Sequence, residues 1–268
     1  MAKPDASLQI QLIETAHAMA DAARGAILPH FRRRGLTAES KETDRFDPVT
    51  AADRASEAAM RTVLAERRPD DAIEGEEEAN KDGTTGLTWV LDPIDGTRGF
   101  ISGTPTWGVL ISLNDASGPL YGIIDQPYIG ERFEGGFGRA TVTGPMGTSD
   151  LGVVASGSLS DATLFTTFPE LGTEAERQAF EVVRDRVKLT RYGCDCYAYA
   201  LLAAGQIDLV IEAGLQSYDI AAGVAVIQAA GGTITNWEGG PAHTGGRAIA
   251  ASSPELHAEA LALLQAHG

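Results

Sequence analysis

The segment Trp89-Val90-Leu91-Asp92-Pro93-Ile94-Asp95-Gly96-Thr97 passes from apolar to acidic within a few residues. Its first part, 88–91, is a compact apolar run and predicts a buried strand. Proline has no N–H to give to a ladder, so the strand is expected to stop at Asp92-Pro93. The proline stiffens the turn, and the two acids can lie on one side of it with the Ile94 carbonyl between them. A turn or short helix is expected after Gly96, because glycine readily takes the backbone angles such a junction needs.

Working outward, two further acidic positions fall at element ends. A short strand over 72–74 leads into the turn Gly75-Glu76-Glu77-Glu78. Asp219 opens a nearly all-apolar helix over 218–230 that ends at Gly231-Gly232. Ends of rigid elements are where functional side chains tend to sit. Taken alone, each feature has a plain explanation. Asp-Pro and Asp-Gly are common in turns, a run of glutamates is ordinary surface, and an Asp at a helix start serves the backbone and the dipole. Together they supply the hard oxygen ligands that Mg²⁺ selects. Glu76, Asp92, Asp95 and Asp219, with the Ile94 carbonyl, are therefore the candidate metal ligands, enough for one or two ions. Gly96 and Thr97 offer backbone N–H groups to a phosphate at a helix start. The Thr97 hydroxyl can orient a water whose pKa a metal lowers, and Asp53 can receive its proton indirectly.

The rest of the chain alternates helices and strands. Helices are expected over 8–31, from 50 or 51 to 67, around 173–184, over 196–204 with Gly205 just past the end, and over 254–266. Residues 32–48 read as a loop or a short strand pair. Strands are expected over 107–113 and 120–126 as antiparallel neighbours, and over 153–155, 207–211, 233–235 and 247–251. The glycine-rich stretch 135–152 is the candidate junction between two subdomains. The expected division is 1–140, carrying most metal ligands, and 141–268, carrying Asp219 and the substrate-side residues. This pattern indicates a layered α/β architecture rather than a simple doubly wound sheet.

Bulk properties exclude some classes. The chain has 268 residues, a formal net charge of −16 and 43% hydrophobic residues. The only block of three basic residues in a row is Arg32-Arg33-Arg34, so no nucleic-acid partner is expected. No apolar run is long enough to span a bilayer, and no membrane partner is expected. Cys194 and Cys196 are separated by one residue, poor geometry for a mutual disulfide. They read as small packing residues in a reducing, cytoplasmic setting.

Gly75-Glu76-Glu77, the nine-residue stretch from Trp89 to Thr97, and Tyr218-Asp219-Ile220-Ala221-Ala222-Gly223 occur in this order. Together they resemble the inositol monophosphatase superfamily, over nearly the whole chain from about residue 10. The resemblance implies an α-β-α-β-α sandwich, Mg²⁺ dependence with two or three ions per site, Li⁺ sensitivity in many members, and often a homodimer. It implies that Glu76, Asp92, Asp95, Asp219 and the Ile94 carbonyl are metal ligands, with Glu76 also part of the catalytic set. Thr97 and Asp53 look like the water-activating pair, Gly96 and Thr97 like phosphate contacts, and Glu77 like a further metal-side acid. Lys41 is the nearest match to a lysine of the family.

Within the superfamily, Thr97-Arg98-Gly99-Phe100-Ile101-Ser102-Gly103, Asp125-Gln126-Pro127, 190–199 and 207–215 look similar to bacterial histidinol-phosphate phosphatases. The chain departs from that pattern at Tyr192-Gly193-Cys194 and Gly223-Val224. Arg191, Asp195, Glu212 and Asp219 are the implied substrate-side residues. Asp195 and Glu212 would place carboxylates where the ammonium or imidazole of histidinol phosphate can pair. Carboxylates also accept from the hydroxyls of a polyol, and Arg191 and Asp195 can simply pair with each other. Two enzyme readings follow: hydrolysis of histidinol phosphate, and hydrolysis of inositol 1-phosphate or a related polyol phosphate. A third class, a non-catalytic regulator of the same fold, is disfavoured because every proposed ligand is present.

Overall fold

Leu12, Ala16, Met19, Ala20, Ala23 and Ile27 recur at helical spacing and form the buried stripe of α1 (Ala6–Ile27). Asp5 caps it, accepting from the Leu8 N–H at 2.9 Å. The computed structural model describes residues 4–34, 38–40 and 48–267; Lys41 lies outside them. A two-residue ladder, β1 (Glu39–Ser40) with β2 (Pro48–Val49), precedes α2 (Ala51–Arg67). The chain then enters β3 (Ala72–Gly75), β4 (Thr88–Asp95), the short α3 (Thr97–Ser102), β5 (Gly108–Asp115) and β6 (Gly118–Gln126). Next come β7 (Glu131–Gly136), β8 (Arg139–Gly144), β9 (Gly147–Asp150) and β10 (Thr163–Thr166). After α4 (Glu174–Arg184) follow β11 (Leu189–Tyr192), α5 (Cys196–Ala203), β12 (Leu209–Leu215) and α6 (Ser217–Ala229). The last elements are β13 (Thr233–Thr235), β14 (Gly246–Ala251) and α7 (Pro254–His267).

One sheet has seven strands in sequence order from β3 to β9; the other has five, ordered β11-β10-β12-β14-β13. Side-chain alternation stacks them into five layers. In the seven-stranded sheet Val109, Ile111 and Ile123 join the core under α1 and α2, while Leu110 and Ile124 join the core with α5 and α6. In the five-stranded sheet Val210, Ala248 and Ala250 face α5 and α6, whereas Leu209, Ile211, Ile249 and Ala251 face α4 and α7. Fully burying one such Leu or Ile stabilises by about 1.5–3 kcal/mol. That exceeds the ~1 kcal/mol span of strand propensity, so burial on both faces outweighs local preference in holding these strands. The order is α1/α2, sheet, α5/α6, sheet, α4/α7: the layered α-β-α-β-α sandwich.

The middle helix lies unusually close to the large sheet. A Cβ at Gly122 would come within 2.5 Å of the Ala222 carbonyl oxygen, and one at Gly135 within 2.5 Å of the Val226 Cα. These contacts are with helix backbone, so glycine is what lets α6 settle onto β6 and β7.

Several details differ from the sequence-based expectation. Residues 135–150 form hairpins that extend the large sheet rather than a junction. The sheets change between Asp150 and Thr163, so a division at 140 falls inside β8. Residues 153–155 are not a strand; the Val153 N–H instead bonds the Ala230 carbonyl at 3.1 Å. Strand β4 does not stop at Asp92 but runs to Asp95. It can do so because β3 pairs with it only as far as Leu91, leaving Pro93 on a free edge.

Candidate metal centre and active site

The register of β4 against β5 slips between Asp92, opposite Leu110, and Asp95, opposite Gly108. Two residues, Pro93 and Ile94, face one, Val109. Such a bulge re-aims side chains. In a regular strand Asp92 and Asp95, three apart, would point to opposite faces; here both reach one site. The Ile94 N–H donates back to Asp92 Oδ1 at 3.0 Å, which pins the buried Asp92 carboxylate. Asp95 Oδ2 accepts from the Cys196 N–H at 2.5 Å, tying the end of β4 to the start of α5.

Asp219 arrives from the other direction, at the third position of α6. Its Oδ2 accepts from the Gln216 N–H at 2.7 Å, so it does cap the helix, and this duty does not remove it from the cluster. One ligand atom each from Asp92, Asp95 and Asp219 lies within 4.8 Å of the others. Glu76, just past β3, lines the same cleft. The Ser217 hydroxyl donates to Glu74, which locks the end of β3 to the start of α6.

Thr97 opens α3 beside this cluster. Its hydroxyl is 3.0 Å from the Ile94 carbonyl and 3.4 Å from Asp53 Oδ1. Asp53 is buried and held by its other oxygen, which accepts from the Thr50 N–H at 2.8 Å and the Thr50 hydroxyl at 2.6 Å. This is the capping box of α2, so one carboxylate both starts a helix and aims at Thr97. Gly96 has φ +83, and a Cβ there would come within 2.8 Å of the Asp195 carboxyl carbon. Glycine at this point allows both the turn into α3 and the close approach of Asp195.

The cleft has a volume of about 460 Å³. Glu76, Asp92, Ile94, Asp95 and Asp219 line one end of it, with Gly96 and Thr97 beside them; Asp195 and Glu212 also line it. Arg191 is not among the lining residues and stays exposed on β11. The backbone turns sharply after it, with positive φ at Gly193 and Asp195, and this sends Asp195 inward while Arg191 remains on the strand. Arg98 is the cation whose field reaches Asp195, and its guanidinium lies 4.8 Å from the Phe168 ring centroid. Thr167 was also unforeseen: its N–H and hydroxyl donate to Glu212 Oε1 at 2.6 and 2.8 Å. Arg98 could have been suspected from its place next to Thr97, whereas nothing in the sequence around Thr167 marks it. Asp125 and Gln126 serve the scaffold. Asp125 pairs with Arg24 at 2.8 Å and Arg132 at 2.7 Å, and Gln126 donates to the Trp107 carbonyl at 3.0 Å.

Electrostatically the metal-free cluster is uncomfortable. Burial, then the fields of Glu76, Asp95 and Asp219, push the Asp92 carboxyl well above the usual carboxylate range. Burial, then Asp195 and Asp219, do the same to Asp95 against the opposing Cys196 hydrogen bond. Burial raises Asp195 to about 6 and Glu212 to about 8. A bound cation inverts this repulsion, and the donors are the hard oxygens that Mg²⁺ and its kin require; the residues fit a divalent metal. A stability prediction follows. Each of these groups binds protons more tightly in the folded chain than in the unfolded chain. Between about pH 5 and about pH 8 the native state therefore holds the extra protons, and stability falls as pH rises. Metal-free protein is expected to melt at a lower temperature at about pH 8 than at about pH 5.5, and saturating Mg²⁺ should shrink that difference. Thermal unfolding at both pH values, with and without Mg²⁺, checks this; a slope that metal leaves unchanged contradicts it.

Comparison with known proteins agrees with this geometry. The sequence profile of the Inositol monophosphatase family matches residues 9–268. A bifunctional phosphatase IMPL2, chloroplastic, of Arabidopsis thaliana is 42% identical over 94% of this chain and 74% of its own length. A histidinol-phosphatase of Streptomyces coelicolor is 34% identical over 94% of this chain and 96% of its own. The solved structure of an inositol monophosphatase from Zymomonas mobilis superposes with a TM-score of 0.84 at 37% identity, covering 98% of this chain and 100% of that one. No helix among the described residues is long and apolar enough to cross a membrane. With the layered fold and the acidic cleft both in place, the chain belongs to the inositol monophosphatase family of metal-dependent phosphatases.

Proposed function

We propose that the chain uses Mg²⁺ to hydrolyse a small phosphomonoester by attack of water, with histidinol phosphate as its substrate. The observation that carries the reaction is the convergence of Asp92, Asp95 and Asp219 within 4.8 Å beside the first turn of α3. Glu76, Asp92, Asp95, Asp219 and the Ile94 carbonyl would hold the ions. When bound, the cations polarise the phosphoryl group and lower the pKa of a water. The chain's own residues do the rest. Backbone N–H groups of Gly96 and Thr97 hold a phosphate oxygen. The Thr97 hydroxyl lies 3.0 Å from the Ile94 carbonyl and 3.4 Å from Asp53 Oδ1; with that carbonyl given to a cation, its single proton would turn to Asp53 Oδ1 and leave its lone pairs to accept from the attacking water. Asp53 then takes up the proton through Thr97. Placing these groups before reaction is worth far more than the bonds themselves, since nothing has to reorganise during attack.

The substrate reading rests on the charge of the cleft beyond the phosphate. Asp195, Glu212 and the nearby Glu170 line it. Asp195, raised to about 6, remains mostly ionised at neutral pH and can pair with an ammonium. The histidinol-phosphatase relative, aligned nearly end to end, supports the same choice. The second reading, an inositol or related polyol phosphate, has its own support. Glu212, raised to about 8, is largely a neutral acid at neutral pH and suits hydroxyls, and the Zymomonas neighbour is an inositol monophosphatase. The test is phosphate release by the purified enzyme with Mg²⁺ from histidinol phosphate and from inositol 1-phosphate. A kcat/KM for histidinol phosphate higher by about tenfold or more, ~1.4 kcal/mol of discrimination, is expected. Equal or better turnover of the inositol ester overturns the substrate assignment.

A further inference from the structure

The side of α2 nearest the cleft carries Asp53, Ser56 and Glu57, all buried. At spacings of three and four these share one helix face. Each touches a different segment of the site. Asp53 is 3.4 Å from the Thr97 hydroxyl. Ser56 Oγ donates to the Pro93 carbonyl, inside the bulge, at 3.3 Å. Glu57 Oε2 accepts from the Glu77 N–H at 2.7 Å, and its Oε1 accepts from the Glu78 N–H at 3.1 Å. Arg61, one turn further along, donates to Glu57 Oε1 at 2.8 Å and to the Glu78 carbonyl at 3.1 Å.

The turn 76–78 lies beyond the last ladder pair of β3, Gly75 with Leu91. Beyond the ladder the Glu57 carboxylate receives two consecutive backbone N–H groups, those of Glu77 and Glu78. Charge-assisted bonds of this kind are the strong ones. The fit is tight: a Cβ on Gly75 would come within 2.1 Å of Glu57 Oε1. We infer that Glu57, steadied by Arg61, is a positioning residue that fixes the backbone of the 76–78 turn and thereby sets where the Glu76 carboxylate meets the metal cluster. Helix α2 then aligns three parts of the site at once: the water-activating Thr97, the bulge that presents Asp92 and Asp95, and the turn that presents Glu76. The inference rests on the metal-dependent reaction proposed above.

The experiment measures Mn²⁺ binding, by the electron paramagnetic resonance of free Mn²⁺, on full-length wild-type protein and on Glu57→Gln. Glutamine keeps the shape but loses one acceptor and the charge. Loss of such an outer support is expected to raise the Mn²⁺ dissociation constant about tenfold or more. Activity should need correspondingly more Mg²⁺, while kcat at saturating Mg²⁺ stays close to wild type. A purely structural residue would lower the melting temperature of metal-free protein without moving the metal dependence of the folded fraction. Folded Glu57→Gln with wild-type Mn²⁺ affinity therefore overturns the inference. If Glu57→Gln does not fold, Gly75→Ala decides by the same two outcomes, because its methyl displaces the same carboxylate and removes no charge. Wild-type protein that binds no Mn²⁺ overturns the metal-dependent reading itself, and the inference with it.

Discussion

Asp92→Asn is expected to lower kcat/KM by about a thousandfold or more, ~4 kcal/mol of transition-state stabilisation, in a protein that is no less stable than wild type. The two halves of this result have different causes. Asparagine offers one neutral oxygen in place of a carboxylate, so the metal loses charge and the phosphoryl group loses the field that polarises it. Stability is another matter. Asp92 is buried among like charges, and Glu76, Asp95 and Asp219 all oppose its ionisation. Removing the charge relieves that repulsion, and Asn can still accept from the Ile94 N–H through its Oδ1. The metal-free variant is therefore expected to melt at or above the wild-type temperature. Steady-state kinetics with calorimetry checks both halves. Retained activity would show that the metal site lies elsewhere, and a large loss of stability would show that Asp92 is a scaffold residue.

The second large effect is expected at Thr97→Val, which keeps the shape and removes the hydroxyl. A positioned proton-transfer group contributes typically about 10²–10⁴-fold, so kcat should fall by that order. The Mg²⁺ concentration for half-maximal activity should change little, because the metal ligands and the backbone N–H groups remain. Thr97→Ser should recover most of kcat. The hydroxyl stands 3.0 Å from the Ile94 carbonyl and 3.4 Å from Asp53, and the smaller side chain can make the same contacts. If the Val and Ser variants are equally impaired, Thr97 acts through packing and the proton route proposed here is wrong.

The parts of this site that could be read from the sequence are those where one residue type has one purpose at one kind of position. Acids at strand and helix ends, a glycine before a short helix, and an apolar run ahead of them locate Glu76, Asp92, Asp95, Asp219, Gly96 and Thr97. What could not be read depends on pairing. Proline argued for ending β4 at Asp92, and it lost because the neighbouring strand had already ended. That free edge is visible only once β3 and β4 are paired. The hairpins over 135–150 were obscured because their glycines look like a linker, while three of them, at 136, 138 and 147, have the positive φ of a turn. Arg191 and Arg98 illustrate the same limit. Both are arginines close to motif residues, and only the backbone reversal around Asp195 decides which one belongs to the cleft. Glu57 carries no signal of its own, since a glutamate in the middle of a helix is unremarkable until its two backbone partners are seen.

The seating of α6 on the large sheet links distant positions to chemistry. Gly122 and Gly135 lie under the body of the helix, and Asp219 is carried at its tip. The missing side chains at those two glycines act as a depth stop, because the helix sinks until backbone meets backbone. Cleft width is thus gauged from beneath, on the strand side, by residues that do not line the cleft. Sequence drift at the cleft rim can change what the enzyme accepts without disturbing the spacing of the carboxylates, since that spacing is referenced to the floor.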